Sequence, residues 1–430
     1  MCFSIDTDAQ QRLQDYLGQL RRFLTDKRQV ASFATYMMGL LSPLERKSLE
    51  PIASQACPCP HHCSAAHQRL QQFGTDSPWP DEPIRDTAVH YGLGQMLRHG
   101  PIQVSILDDT AILKKGKHSV GVQSQYAGCV GKVANCQVAP SLVVANQFAH
   151  LPVDVELYLP KSWTDSPERR KEARIPDEVQ FRTKPIMGLA MLDAAMAQGI
   201  PLGVLTADTS YGNSQEFRNG VRKRGLHYLV GVQGATSVQL WDRSQGFLPS
   251  QSVSQIGQAL MEKDFAIYTI PGSPKPRHVR LCFRHVFVPG DTQDTRQWLI
   301  IEWRPEEKDP LRYYLCSLPK STRRRRLIQI LKMRWRTEQA YAEVKGELGF
   351  DHYEGRRWRG FRHHMTLVLC CYAFVIAERE RSFPPCAAKK QPGGAELAPA
   401  TASRPHQLCD LAAPGGPSGL GHARPLRAAA

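Results

Sequence analysis

A chain of 430 residues, 42% of them apolar, is long enough for two or three domains or for one large domain carrying an insertion. A formal charge of +15 and a pI near 9.3 favour a polyanionic partner, either nucleic acid or an anionic membrane surface. No apolar run reaches bilayer-spanning length, the twelve cysteines lack dense regular spacing, and Asp6 and Asp8 interrupt any leader-like segment. The expectation is therefore a cytoplasmic protein with reduced thiols that faces nucleic acid, not a membrane.

Residues 1–85 read as helical, with helices expected over Asp8 to Leu24, Gln29 to Leu41 and Ala65 to Phe73. A DNA-binding module and a plain helical cap fit these equally. The stretch CPCPHHC, Cys57 to Cys63, holds thiols and imidazoles that can ligate zinc. Its two prolines, and the lack of a second ligand pair at zinc-finger spacing, favour a loop with free cysteines.

At Val104 the character changes. VSILDDT is a short apolar run that stops on Asp108, Asp109 and Thr110, the pattern of a buried strand ending at a polar site. Two further strands are expected around 117–128 and 135–145, giving a meander. Gly131-Lys132 is no phosphate loop, because Val133 follows it and the preceding glycine is missing. Residues 160–185 are charged and Pro-punctuated, either a connecting loop or a DNA-contacting segment at Arg169, Arg170 and Lys171. A helix is expected over Pro185 to Gln198. Pro201 to Asp208 repeats the first pattern, apolar until it stops on an aspartate. Asn213 is the expected cap of a helix through Arg224, and His227 to Val232 is another strand.

Between 234 and 320, strand-like segments alternate with Pro/Gly turns and read as an all-β insertion. The block Arg323 to Arg326 follows. Next, Leu331 to Lys345 reads as one helix free of Gly and Pro until its end, with Arg334, Glu338, Tyr341 and Lys345 on a single face. GRRWRGFRHH, Gly355 to His364, interleaves cations with Trp358 and Phe361. Beyond Ser382 the composition collapses into Ala, Pro and Gly, which predicts a disordered tail over 383–430.

Arg334, Glu338 and Lys345, with three and six residues between them, resemble the R-E-K part of the Y-R-E-K signature in a large group of insertion-sequence transposases of the DDE class. The position of the signature tyrosine holds Leu331. Asp108-Asp109-Thr110 resembles the family's first motif, D-x-T, with Asp108 preferred as the acid over Asp109. Asp208-Thr209-Ser210-Tyr211-Gly212 resembles the second, an aspartate followed by Tyr-Gly. The resemblance covers roughly residues 85–380 and implies an α/β, ribonuclease-H-like catalytic domain interrupted by the β insertion. Its parts are expected at 86–233 and 321–382, the insertion at 234–320, and a helical N-terminal region at 1–85.

The resemblance further implies that Asp108, Asp208 and Glu338 are the catalytic carboxylates and metal ligands. Three crowded carboxylates need a cation, and two Mg²⁺ ions, with Mn²⁺ as substitute, suit their oxygen donors. Arg334 and Lys345 would contact DNA, and Trp298 or Trp303 in the insertion would stack on a flipped base. The implied function is a transposase cutting and joining double-stranded DNA at the terminal inverted repeats of a bacterial element, as a homodimer holding two ends and a target. A same-fold nuclease without strand transfer, and an inactive DNA-binding remnant, are the competing readings.

Overall fold

The computed structural model describes residues 7–57, 60–270, 277–291, 296–308 and 310–382. The expected tail at 383–430 lies outside the described residues, as does part of the cysteine-rich stretch. Five helices open the chain: α1 (Thr7–Leu20), α2 (Lys27–Leu41), α3 (Leu49–Ala56), α4 (Pro60–Thr75) and α5 (Asp81–His99). The first strands are β1 (Val104–Leu113), β2 (Gln123–Ala127), β3 (Lys132–Ala145) and β4 (His150–Val155). Short helices α6 (Lys161–Thr164) and α7 (Pro167–Ala173) occupy the charged connection, and α8 (Lys184–Ala197) follows. Next come β5 (Val204–Ala207), α9 (Thr209–Gly212), α10 (Gln215–Lys223) and β6 (Tyr228–Val232).

The fold is mixed α/β, built on one mixed sheet in which these strands run in the order β6-β5-β1-β3-β2. Its centre is parallel: β1 pairs with β5 and β5 with β6. β3 runs antiparallel to β1 along its whole length, and its other edge pairs first with β2 and then with β4. This arrangement is consistent with a ribonuclease-H-like domain. The parallel strands are apolar on both faces because helices cover them.

The stretch expected to be all-β differs in two ways. It begins with the two-residue strands β7 (Ser237–Val238), β8 (Trp241–Asp242), β9 (Gly246–Phe247) and β10 (Gln251–Ser252), then forms helix α11 (Val253–Gln258). A capping box starts that helix, with Ser252 and Gln255 satisfying each other's backbone N–H groups. Its long strands, β11 (Ala266–Ile270), β12 (Arg277–Val286), β13 (Gln297–Trp303) and β14 (Leu311–Cys316), extend the central sheet through the antiparallel β14/β6 pair. Hydrogen bonding continues across that junction because β6 would otherwise be an open edge.

The helix expected over Leu331 to Lys345 is two helices, α12 (Arg324–Met333) and α13 (Trp335–Leu348), which meet at Arg334. Arg334 keeps right-handed helical angles, so the ladder breaks without a change of backbone region. Gly349 ends α13 in the left-handed conformation at φ 64°, its N–H returning to the Val344 carbonyl.

The last helix, α14 (Trp358–Ser382), is the spine of the helical half. By length and composition it could cross a membrane, but 89% of its apolar window is buried inside the protein. A helix apolar on every side must be enclosed, and α1, α2, α4, α5 and β4 enclose it. Each large apolar side chain it buries stabilises the fold by about 1.5–3 kcal/mol. Tyr16 donates to the Cys370 carbonyl at 2.7 Å, and Arg12 forks onto Glu378 at 2.6–3.0 Å. Helix α5 runs across position 85, so packing makes no break there.

Three of the GRRWRGFRHH cations are engaged in this packing. Arg357 pairs with Asp76, Arg359 donates to the Asp76 carbonyl, and Arg362 bonds Asp81 and Glu82 at 2.9 Å each. These contacts fasten α14 to α5 and to the end of α4, while Arg356 stays exposed. Arg170 is likewise turned inward, onto the Val179 and Pro176 carbonyls.

The spine carries an acid-sensitive element. His364 is fully buried; its Nε2–H donates to the Gly349 carbonyl (3.0 Å) and its Nδ1 accepts from the Tyr36 hydroxyl (2.9 Å). Burial pulls its pKa down to about 4. The unfolded imidazole titrates near 6.5, so the unfolded state binds more protons between those values. Stability is therefore full above about pH 6.5 and is lost as pH falls toward 4. The melting temperature should fall across that window. His364→Gln should shrink the difference between pH 7 and pH 4.5, whatever its effect at pH 7, and an unchanged difference would remove His364 as the sensor.

Candidate active site

Strand β1 runs on past its aspartates, contrary to the expected stop at Asp108, but its pairing with β5 ends there. Leu107 of β1 pairs with Ala207, the last residue of β5, so Asp208, one residue beyond β5, comes beside Asp108 midway along β1. Asp108 is largely enclosed, its side chain 15% exposed. Burial first, then the Asp208 charge, pushes its pKa up to about 7, while Arg334 and the Asp109 N–H pull the other way. Asp208 caps α9, its Oδ1 accepting from the Ser210 N–H at 2.9 Å and the Ser210 hydroxyl at 2.5 Å. The cap of α10 is Ser214, not the expected Asn213, whose side chain instead accepts from the Gln233 N–H.

The adjacent carboxylates of β1 separate as strand alternation requires. Asp109 points the other way, where the Tyr211 hydroxyl and the Lys184 ammonium each bond it at 2.6 Å. Both its oxygens are committed to the interior. Tyr211 of the DTSYG stretch thus ties α9 to β1 behind the Asp108–Asp208 pair.

Helix α13 lies against β1 from Asp108 to Ala111 and reaches Ser141 of β3. The Tyr341 hydroxyl donates to the Asp108 carbonyl at 2.9 Å and meets the Ser141 hydroxyl at 2.7 Å. At its N-terminus the Arg334 guanidinium forks, one nitrogen on Asp108 Oδ2 at 3.0 Å and the other on Glu338 Oε1 at 3.1 Å. Glu338 is otherwise open, its side chain 64% exposed. The structure thus brings Asp108, Asp208, Arg334 and Glu338 into one cluster, with Glu338 joined to it through the guanidinium. Among the described residues, no three His, Cys, Asp or Glu side chains stand close enough together to hold a metal ion. The oxygen-only donors and the mutual repulsion of the Asp108 and Asp208 carboxylates still fit a hard divalent cation. Only the third carboxylate is held off, by a cation already in place.

Three of the residues expected to contact DNA are engaged within the protein. Lys345 donates its ammonium to the Ala111 carbonyl at 2.9 Å, and burial lowers its pKa. It stitches α13 to β1 and is not an outward point charge. Trp298 is buried, edge-on to Phe283, tilted against His285 at 3.9 Å and bonded to the Pro319 carbonyl. It cannot receive a base without unpacking the sheet's second core. Trp303 is half-buried between Arg280 and Phe265. Among the described residues, the exposed indoles are Trp241, in contact with Phe247, and Trp335, directly after Arg334. Sequence reasoning missed both, although Trp335 sits at the position next to the signature arginine. Leu331, in the signature tyrosine's place, is buried core.

Glu343 does not compete for the site, although it shares α13. It is locked by Tyr372 (2.6 Å), His150 (3.6 Å) and Arg379 (3.2 Å), which together hold its pKa well below the usual carboxylate range despite its burial.

A family model for DDE superfamily endonucleases matches residues 19–308, a span that contains both aspartates and ends before α13. A probable transposase for insertion sequence element IS701 from Microchaete diplosiphon is 24% identical over 340 residues, covering 79% of this chain and 80% of that relative.

Proposed function

The chain belongs to the DDE superfamily of endonucleases, and from that premise we propose that it is an insertion-sequence transposase with a Y-R-E-K-like helix whose tyrosine is replaced by Leu331. The observation that carries this reading is the meeting of Asp108 and Asp208 where the parallel β1/β5 pairing ends, beside Arg334 and Glu338 at the start of α13. The relative's description as a probable transposase supports it. In this reading residues 86–233 and 321–382 form the catalytic domain, and 234–320 is an insertion fused to its sheet. The N-terminal helices are the cap that encloses α14.

Asp108, Asp208 and Glu338 would hold divalent cations, two Mg²⁺ by preference, which supply charge neutralisation and an activated water or 3′-hydroxyl. The chain's own residues do the rest. Tyr341 and Lys345 fix α13 against β1, and Arg334 is the fork suited to a phosphate. Arg323, Arg324 and Arg325 are exposed on the first turn of α12 or just before it. Cations there oppose the helix dipole, a cost that a neighbouring phosphate backbone offsets. The substrate is double-stranded DNA carrying the element's terminal repeats, held pairwise by a homodimer and joined to target DNA in the bacterial cytoplasm.

The test is a Mg²⁺-dependent reaction on a duplex that contains an element end. Nicking at the end followed by joining to target DNA is expected; nicking without joining would reduce the protein to a nuclease, and neither would make it a remnant. Binding supplies a separate check. Replacing Arg334 by Ala should lower the slope of log K against log salt by roughly one unit, equally on specific and random DNA. Lys345→Ala should change the slope less, because its ammonium already serves Ala111. An unchanged slope for Arg334→Ala would point the α13 face away from DNA.

A further inference from the structure

Arg334 stands where α12 ends and α13 begins, with its side chain 36% exposed. Its planar fork bonds Asp108 Oδ2 and Glu338 Oε1 at 3.0 and 3.1 Å, so one cation serves two of the three carboxylates. The Asp208 carboxylate is near enough to act on Asp108. A divalent ion drawing on Asp108 and Glu338 would compete with the guanidinium for Asp108 Oδ2 and Glu338 Oε1 and would be repelled by its charge. Guanidinium and metal therefore oppose one another. Phosphate is the other strong bidentate acceptor for a guanidinium, and a DNA backbone supplies it.

We propose that Arg334 is a resident counter-ion that closes the carboxylate site in the free protein and leaves it for a DNA phosphate, so that DNA and divalent metal bind cooperatively. This rests on the reading of Asp108, Asp208 and Glu338 as the metal-holding set. The coupling is reciprocal: a phosphate that removes the guanidinium raises metal affinity, and metal on the carboxylates frees the guanidinium for phosphate. It also keeps a nuclease from assembling its metal site without substrate. If the closed arrangement is favoured about tenfold, it weakens apparent metal affinity by the same factor.

The experiment is Mn²⁺ binding to the full chain, read from the free-ion paramagnetic resonance signal, for wild type, Arg334→Gln, Arg334→Lys and Asp108→Asn. Melting curves establish that each variant is folded. Without DNA, Arg334→Gln should bind Mn²⁺ about tenfold more tightly than wild type. Arg334→Lys should fall between them, because a single ammonium cannot fork onto both carboxylates, and Asp108→Asn should lose the site. A short duplex, with its own Mn²⁺ binding subtracted, should tighten binding to wild type and leave Arg334→Gln nearly unchanged. Equal or weaker binding by both folded Arg334 variants, with the site still lost in Asp108→Asn, overturns the counter-ion role and leaves the metal set standing. Binding that is absent throughout, or unaffected by Asp108→Asn, overturns the metal set and the counter-ion together.

Discussion

Asp108→Asn, Asp208→Asn and Glu338→Gln should each reduce end cleavage by about a thousandfold or more while leaving the fold intact. The physical basis is that the three carboxylates serve one reaction as a unit, so any double substitution should cost little more than a single one. The amides suit the test because they keep the local geometry. Asn at 208 can still cap α9, since asparagine ranks with aspartate as a cap and Oδ1 is the accepting atom. Asn at 108 can still accept from the Asp109 N–H. Asp108 also has a pKa raised to about 7, against an unfolded value near 3.9. The folded state thus binds more protons between those values, and the protein loses stability as pH rises through that window. Above pH 7, where the wild-type carboxylate is ionised, Asp108→Asn should melt no lower than wild type, so lost cleavage cannot be blamed on unfolding. Cleavage near the wild-type rate in Glu338→Gln would sink the assignment, and Glu343 could not replace it, being fastened to Tyr372, His150 and Arg379.

What the sequence disclosed follows from how local each signal is. The start of β1 and the end of β5 were legible because an apolar run carries strand and burial in a few residues, whereas the continuation of β1 through Thr110 to Leu113 was hidden by the two carboxylates that interrupt it. The α13 face was legible because helical spacing alone places Arg334, Glu338, Tyr341 and Lys345 together. Strand β4 was not, since Pro152 reads as a breaker; the strand tolerates it because it lies on an outer edge, beside an irregularity at Leu142/Val143. The break at Arg334 has no Gly or Pro to announce it. Helix α5 buries one face through Ile84, Ala88, Val89, Gly92, Leu93 and Met96, and the alanine and glycine within that stripe dilute its apolar signal. The deeper failure concerns charge. GRRWRGFRHH looks like a nucleic-acid surface, and its acidic partners lie about 280 residues away at Asp76, Asp81 and Glu82. Composition cannot distinguish an absent phosphate from a distant carboxylate. The burial of Trp298 was hidden for a related reason, because strand alternation says which residues share a face but not which face is covered.

Gly212→Ala should be among the most disruptive single-methyl changes in the protein, destabilising it by about 2–3 kcal/mol and lowering cleavage as well. Gly212 ends α9, and a Cβ placed on it would lie 2.0 Å from the Gly231 carbonyl oxygen and 2.9 Å from the Val230 Cβ. Neither neighbour can give way. Both belong to β6, which is hydrogen-bonded on one side to β5 and on the other to β14. Helix α9 would have to lift instead, and its remaining residues show what it would carry along. Asp208 is its cap, Tyr211 anchors it to Asp109, and the Gly212 carbonyl accepts from buried Arg218 at 2.7 Å. Raising α9 by an ångström moves Asp208 relative to Asp108, a displacement to which positioned chemistry is sensitive. The spacing of Asp208, Tyr211 and Gly212 is thus one mechanical unit: acid, tether and the point of closest approach to β6. Gly94→Ala is the matched control. Gly94 lies in the middle of α5, and a methyl added there would meet nothing within 4 Å, so alanine should stabilise by about 0.5–1 kcal/mol through helix propensity alone. The melting temperatures of the two variants should therefore shift in opposite directions from wild type, and only Gly212→Ala should lower the end-cleavage rate. A Gly212→Ala protein that melts with wild type and cleaves at its rate would show that β6 yields, and the mechanical reading of the DTSYG stretch would fail with it.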